Sequence, residues 1–273
     1  MPILTGHYTA AFHLPGQVSR IVSLVPSQTE LLADLGLEAQ VVGITKFCVH
    51  PETWFHTKTR VGGTKNLHMQ TIHGLKPDLV LANREENHRE QIEELSRHYP
   101  VWVSEIGSFE DSIKMIQTIG ELTCRADRAS DLIDQIRRRF ENFSKKRLIS
   151  NTPLSGAYFI WKEPYMAAGG DTFISAMMTC CGLKNIFEDQ PRYPQITLDI
   201  LAKKDCRLLL LSSEPYPFRE KHILEIQKQL PSAKIILVDG EMFSWYGSRL
   251  LYAPDYFEKF LLENGLAENK NGS

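Results

Sequence analysis

This chain has 273 residues, of which 42% are hydrophobic and 23% charged, as in an ordinary globular protein. Its net charge of −2 supplies no general basic field, which argues against a nucleic-acid partner. No apolar run approaches the ~20 residues of a membrane span. The length suffices for one large domain or two smaller ones, each with its own core.

The amino-terminal residues contain neither the basic region nor the continuous apolar stretch of a signal peptide. We therefore expect a cytoplasmic protein, or a periplasmic one if an export signal has been removed. Five cysteines without a C-x-x-C pair indicate a reducing compartment and no disulfide framework. These residues are Cys48, Cys124, Cys180, Cys181 and Cys206.

Residues 20–46 predict a strand–helix–strand unit. Ile21–Val25 is a short β-branched run typical of a buried strand. Ser27 and Glu30 form the Ser-x-x-Glu pattern of a helix capping box, and Gly36 stands where a helix commonly ends. A second strand follows at Val41–Thr45, and a crossover of this length predicts a parallel sheet. The loop after the first strand then borders the ligand crevice of the sheet.

Further strands and helices alternate up to residue 122. The chain from His50 to Asn66 is rich in Pro, Thr and Gly and is predicted to be a loop. The elements predicted after it are a helix at Leu67–Leu75, a strand at Leu79–Ala82, a helix at Arg89–His98, a strand at Val101–Ser104 and a helix at Phe109–Leu122.

A long helix is predicted from Ala126 to Leu148, because this stretch lacks Gly and Pro and its apolar residues recur every three or four positions. A helix of this length, roughly 35 Å, suits a spine between two lobes. The elements predicted after it are a strand at Ala157–Trp161, a helix at Thr172–Cys181 closed by Gly182, a strand at Ile235–Val238 and a helix at Ala253–Glu263.

This order of elements predicts two α/β lobes with a ligand cleft between them. We place the amino-terminal lobe at 18–124, the connecting helix at 125–150 and the carboxy-terminal lobe at 151–266. Residues 1–19 are predicted to form a leading strand or arm, and residues 269–273 a disordered tail.

Five stretches carry a likeness to a known family: Arg20-Ile-Val-Ser-Leu-x-Pro-Ser-x-Thr-Glu30, Leu35-Gly-Leu37 with Val42-Gly43, Val61-Gly-Gly63, Leu75-Lys-Pro-Asp-Leu-Val-Leu-Ala82 and Gly170-Asp-Thr-Phe173. They resemble the Fe/cobalamin periplasmic-binding family, the substrate-binding subunits of ABC importers for cobalamin, haem and siderophores. The resemblance implies two Rossmann-like α/β lobes joined by one long helix. It also implies a soluble binding protein for a corrinoid, haem or another metal chelate.

The sequence departs from this family at positions that matter for function. The family's receptors dock on their transporter through one glutamate on each lobe, and Gln70 and Ser244 stand at those positions here. The missing export and docking signals favour a monomeric cytoplasmic carrier or sensor over a transporter subunit. Positions that are aromatic around the corrin ring in cobalamin receptors are here Thr64, Asn83 and Met242, and only Phe47 remains aromatic.

Two segments of the second lobe offer candidate ligand-binding residues. Phe243, Trp245 and Tyr246 offer flat apolar surface, and Arg249 offers a guanidinium for ligand anions. The alternative is a structural turn whose aromatic rings pack against the last helix. Trp161 and Tyr165 leave the first strand of that lobe, and they either face the ligand or pack.

The first lobe offers Phe47 for stacking and Lys46 for pairing with ligand anions. Ser27 lies before a helix amino terminus, which favours anionic groups, although capping alone also explains it. Cys48 and His50 have donor atoms that suit transition metals, but no second pair has metal-ligand spacing, and no protein-bound metal is predicted.

Two other classes of function stay open. An enzyme would use an acid or base such as Glu163, Asp171 or His50, but the chain has no Walker A, GxGxxG or nucleophile-elbow pattern. We therefore predict no catalytic residues. An interaction module on the same fold would have lost its ligand.

Overall fold

The computed structural model describes residues 16–146 and 154–267. Most of the predicted leading arm, the segment before the second lobe and the whole predicted tail lie outside the described residues. Within the described ranges, no helix combines the length and the apolar character needed to cross a membrane.

The chain divides into two compact units. The first unit contains the chain up to Ile106 together with Glu110–Gln135 and Tyr246–Arg249, and the second contains Gly107–Phe109, Ile136–Trp245 and the chain from Leu250 onward. Each unit is built on a mainly parallel sheet, which confirms the prediction of two α/β lobes. The ligand cleft predicted between the lobes stays a prediction.

The first unit contains a five-stranded sheet in the order β3-β2-β1-β4-β5, and all of its strand pairs are parallel. Its core includes Val22, Val80 and Val103 from three of these strands. The elements are β1 Ile21–Ser23, α1 Pro26–Asp34, β2 Val41–Ile44, α2 Glu52–Thr57, β3 Thr59–Arg60, α3 Met69–Leu75, β4 Leu79–Asn83, α4 Arg89–Ser96, β5 Val101–Ser104 and α5 Phe109–Leu122. The strand order reverses between β1 and β4, which opens a crevice at their carboxyl ends.

Helix α6 spans Ala126–Lys146 and confirms the predicted long helix. Residues 126–135 belong to the first unit and residues 136–146 to the second. The last two residues of the prediction, 147 and 148, lie outside the described residues.

The second unit contains a sheet in the order β10-β9-β6-β7, in which β8 also pairs with β6. Only β7 is antiparallel to its neighbour among the described strands. The elements are β6 Leu154–Trp161, β7 Met166–Ala167, α7 Phe173–Cys180, β8 Leu183–Asn185, α8 Leu198–Lys203, β9 Leu208–Ser212, α9 Glu220–Gln227, β10 Lys234–Val238, α10 Glu241–Ser244, a 3-10 helix at Ser248–Leu251 and α11 Ala253–Glu263.

The capping box predicted for the first helix is wrong. Helix α1 begins at Pro26, and its N-cap residue is Val25, which makes no side-chain capping bond. Proline suits the first helical position because its missing N–H needs no partner there, so the helix starts one residue before Ser27. Glu30 pairs with an arginine instead of the backbone. The predicted end of the helix is confirmed, because Gly36 has a φ of +74°.

The loop predicted at 50–66 contains two short elements, α2 and β3. Helix α2 buries Trp54, and β3 pairs in parallel with β2. Elements this short show little hydrophobic periodicity in the sequence. Burial of one ring in α2 and the pairing of β3 with a neighbouring strand therefore determine that they form.

Candidate functional site

At the carboxyl end of the first unit's sheet, Phe47 follows β2 and is 50% exposed. The Nζ of Lys46 lies 5.1 Å from the centroid of this ring, a cation–π arrangement. An aromatic ring with so much exposed area offers a flat apolar surface to a ligand. Lys46 itself is exposed.

Thr64 and Asn83, which the resemblance aligns with aromatic residues of cobalamin receptors, are buried, and both take part in hydrogen bonds within this unit. The Oδ1 of Asn83 accepts from the backbone N–H of Glu85 at 2.8 Å, and its Nδ2 donates to the Ser104 Oγ at 3.0 Å. The Nδ2 of Asn87 donates to the Thr64 carbonyl at 3.0 Å. These positions fix the loops at the crevice between β1 and β4, and they offer no stacking surface.

Arg249, which belongs to the first unit, pairs with Glu30 of α1. Its Nη2 lies 2.7 Å from Oε1 and its Nε 3.0 Å from Oε2, and both side chains are mostly buried. Burial raises the pKa of Glu30, and the guanidinium opposes this shift. The guanidinium that was predicted to meet ligand anions therefore already holds a carboxylate of the protein.

Ser27 and Tyr246 are buried in the first unit. The Ser27 carbonyl oxygen would lie only 3.2 Å from a Cβ at Gly247, the residue after Tyr246. Gly247 has a φ of +120°, so only glycine adopts this conformation readily where the carboxy-terminal segment crosses α1.

The thiol of Cys48 is fully buried, and it lies 3.1 Å from the Thr29 hydroxyl and 3.2 Å from the Thr45 hydroxyl. Burial raises the pKa of this thiol, which disfavours the thiolate that a metal requires. Across residues 16–146 and 154–267, no group of three or more His, Cys, Asp and Glu side chains has the arrangement of a metal site.

In the second unit, Trp161 ends β6 and is 40% exposed. Its ring meets that of Tyr216 edge to face, with the centroids 5.7 Å apart. Tyr165, four residues further on, is half-buried and stacks on Phe159 of the core at 5.2 Å. Tyr165 therefore packs with one face, whereas Trp161 presents an open surface.

Phe243 has no exposed surface. Its ring packs on Phe257 at 4.9 Å and on Tyr158 at 5.3 Å, within the second unit. This matches the alternative of a structural turn that packs against the last helix, so we leave Phe243 out of the proposed binding surface.

Trp245 is nearly buried, and its Nε1 donates to the Glu214 Oε1 at 2.8 Å. The hydroxyl of Ser244 donates to the same oxygen at 2.7 Å. Ser244, which the resemblance aligns with a docking glutamate, thus holds a carboxylate of its own unit. Gln70, which it aligns with the other docking glutamate, is exposed on α3.

The sequence analysis missed Glu214 and Tyr216, which lie in the loop after β9. A signal was available, because Glu163-Pro-Tyr165 after β6 recurs as Glu214-Pro-Tyr216 after β9. β6 and β9 are neighbouring parallel strands, so the two tripeptides leave the same edge of the sheet.

The sequence pattern of the periplasmic binding protein family matches residues 21–232. The chain belongs to this family. Membership places it among binding proteins rather than enzymes, and it confirms the family predicted from the motifs.

Proteins similar to this chain in sequence or in fold match nearly its whole length. A vitamin B12-binding protein of Pectobacterium atrosepticum is 25% identical over 265 residues, which is 95% of this chain and 93% of that protein. The crystal structure of the periplasmic vitamin B12 binding protein BtuF of Vibrio cholerae has a TM-score of 0.76 at 19% identity, covering 91% of this chain and 98% of that one. The periplasmic heme-binding protein RhuT of Roseiflexus has a TM-score of 0.74 at 18% identity, covering 91% and 100%. These structural likenesses establish the fold.

Proposed function

We propose that this protein binds a metal chelate of the corrinoid class, or another tetrapyrrole or siderophore chelate, as a member of the ABC-importer substrate-binding proteins. The observation that carries the proposal is the pair of exposed aromatic rings, Phe47 and Trp161, which follow β2 and end β6. The names of the relatives, which bind vitamin B12 or haem, support the same ligand class.

A binding pocket is usually lined by apolar and aromatic groups with a few placed polar atoms. Exposed aromatic rings are therefore candidates for the lining of such a pocket. In parallel sheets the ligand crevice lies outside the carboxyl ends of the strands. Phe47 and Trp161 both lie at such ends, each in its own unit. A planar ring system suits each of these surfaces, because aromatic faces stack on it.

We further propose that the protein does not dock on a transporter through the usual pair of glutamates. Gln70 is uncharged, and the Ser244 hydroxyl is bonded to Glu214. The cytoplasmic location stays a prediction from the sequence, and fractionation of cells that produce the full-length natural protein tests it.

The test of the binding function is titration of the purified protein with cyanocobalamin and with haemin, followed by visible absorption. We expect a saturable spectral shift with one of them, weakened on the order of tenfold in Phe47→Ala and Trp161→Ala, since each removes a stacking ring. Val49→Ala, at another exposed apolar position near Phe47, is the matched control and should bind like the wild type. Absence of a shift with either compound and with ferric hydroxamate chelates would reject the proposal.

A further inference from the structure

The carboxylate of Glu214 is held so that only one of its oxygens is used by the protein. Oε1 accepts both the Ser244 hydroxyl and the Trp245 Nε1–H. Oε2 receives no hydrogen bond from the described residues, and it is not among their enclosed unpaired atoms. The second oxygen is thus an accessible acceptor at the carboxyl end of β9.

Two hydrogen bonds hold the backbone of Glu214, and a glycine leaves room for its side chain. The Ser212 hydroxyl donates to the Glu214 carbonyl and accepts from its N–H at 3.3 Å. The Glu214 Cγ would lie 2.5 Å from a Cβ at residue 240, so glycine is required there for space. Gly240 has an ordinary helical φ of −61°, and backbone freedom is therefore not the reason.

The charges that face Glu214 are negative. Burial raises the pKa of Glu214, and the nearby carboxylates of Glu241 and Asp239 raise it further. The two groups that donate to Oε1 are neutral. This environment repels a ligand carboxylate and favours a ligand N–H or O–H that donates to Oε2.

In the first unit, the guanidinium of Arg249 is already bound at two points by the carboxylate of Glu30. A chelate that carries carboxylates would have to displace Glu30 to use it. A chelate that carries amides would not need this cation.

We propose that Glu214 is a ligand-contacting acceptor in the second unit, and that the protein selects chelates with peripheral amide or hydroxyl groups over chelates with peripheral carboxylates. This inference rests on the proposed function. It narrows the ligand to the class of corrinamides and other donor-rich chelates, and it disfavours haem, whose periphery is anionic.

The test compares dicyanocobinamide with dicyanocobyrinic acid, which share one corrin ring but carry amides and carboxylates respectively. Binding is followed by the visible spectrum of the corrin in wild type, Glu214→Gln and Glu163→Gln. Glu163 occupies the matching position in the other Glu-Pro-Tyr loop, and its side chain is 85% exposed, so Glu163→Gln is the control.

We expect the wild type and Glu163→Gln to prefer the amide form on the order of tenfold or more, since a like charge opposes the acid form. In Glu214→Gln this preference should fall several-fold, because the negative charge is lost. Folding of the variants is checked by circular dichroism and by cooperative thermal unfolding.

The outcomes separate this inference from the proposed function. Equal binding of both corrinoids, tighter binding of the acid form, a preference unchanged in Glu214→Gln, or binding of haemin alone would overturn the inference and leave chelate binding in place. Binding of none of the three compounds and of no siderophore chelate would overturn both.

Discussion

The guanidinium of Arg249 and the carboxylate of Glu30 form a two-point ion pair, 2.7 Å and 3.0 Å between the paired nitrogen and oxygen atoms. The exposed fractions of the two side chains are 13% and 15%. The pair fastens the segment Tyr246–Arg249 to helix α1, and both belong to the first unit. A charged side chain held this way is part of the fold.

Arg249→Ala should destabilise the protein by about 3 kcal/mol, because it leaves the mostly buried carboxylate of Glu30 without its cation. Burial already raises the pKa of Glu30, so the ionised form costs free energy in the folded state. Without the guanidinium this pKa rises further, so the loss should grow as the pH rises through the raised pKa of Glu30 in the folded variant. Chemical denaturation at several pH values measures it.

The matched control for that variant is Asp255→Asn, which breaks the exposed pair between Arg139 and Asp255, 2.9 Å apart. An exposed pair contributes less than about 1 kcal/mol, so this variant should change stability little. Equal losses in the two variants would show that the burial of the Glu30–Arg249 pair is unimportant.

Glu214→Gln should stabilise the folded protein at neutral pH. Burial raises the folded-state pKa of Glu214 above its unfolded value, so the wild type loses stability as the pH rises through that raised pKa. Glutamine keeps an acceptor oxygen for Ser244 and Trp245 and carries no charge. The difference in melting temperature between the variant and the wild type should increase from pH 4 to pH 8, and a constant difference would contradict the expected cost of ionisation.

Gly240→Ala should destabilise the second unit by about 1–3 kcal/mol, because the new methyl group would lie 2.5 Å from both the Glu214 Cγ and the Ser212 Oγ. Gly74→Ala is the control, since Gly74 lies in helix α3 with nothing within 4 Å of an added Cβ. That change should stabilise by about 0.5–1 kcal/mol through helix propensity. Thermal unfolding of both variants measures the contrast.

Thr172→Ala should cost about 1 kcal/mol, because the Thr172 hydroxyl accepts the Ser175 N–H as the N-cap of helix α7. Ser27→Ala tests the rejected capping box of α1, where no side-chain capping bond exists. We expect Ser27→Ala to lose clearly less stability in urea unfolding. Similar losses would argue for a capping role of Ser27.

Phe243→Ala and Phe47→Ala should separate stability from binding. Phe243 is fully buried, and its truncation should cost about 3–5 kcal/mol of stability. Phe47 is half exposed, and its truncation should change stability by no more than about 0.5 kcal/mol while weakening the chelate. Denaturant unfolding and the spectral titration, done on the same samples, give both quantities.

Regular elements with a clear hydrophobic period were predictable from the sequence. Helices α5 and α11 have the predicted bounds, and so does strand β5. Their apolar residues recur at the period of the element, so local order and burial favour the same structure. The same reasoning failed for β3, a two-residue strand that exists because it pairs with β2.

The candidate site was less predictable, because its polar partners are far apart in sequence. Glu30 looked like half of a capping box, yet its partner is Arg249, 219 residues away. Trp245 was predicted to face a ligand, and its indole N–H is bonded to Glu214, 31 residues away. Hydrophobic periodicity within one stretch of the sequence gives no information about such distant pairs.

By itself the sequence determined the alternation of strands and helices, the long helix α6 and the family motifs, because these depend on periods and turn residues within one stretch of chain. Only the tertiary structure decided which aromatic rings are open and which charges are already paired. Phe47 and Phe243 are the same residue type beside predicted strands, but packing leaves one half exposed and encloses the other. Burial and pairing are properties of neighbours that folding brings together, and they decide which side chains remain for a ligand.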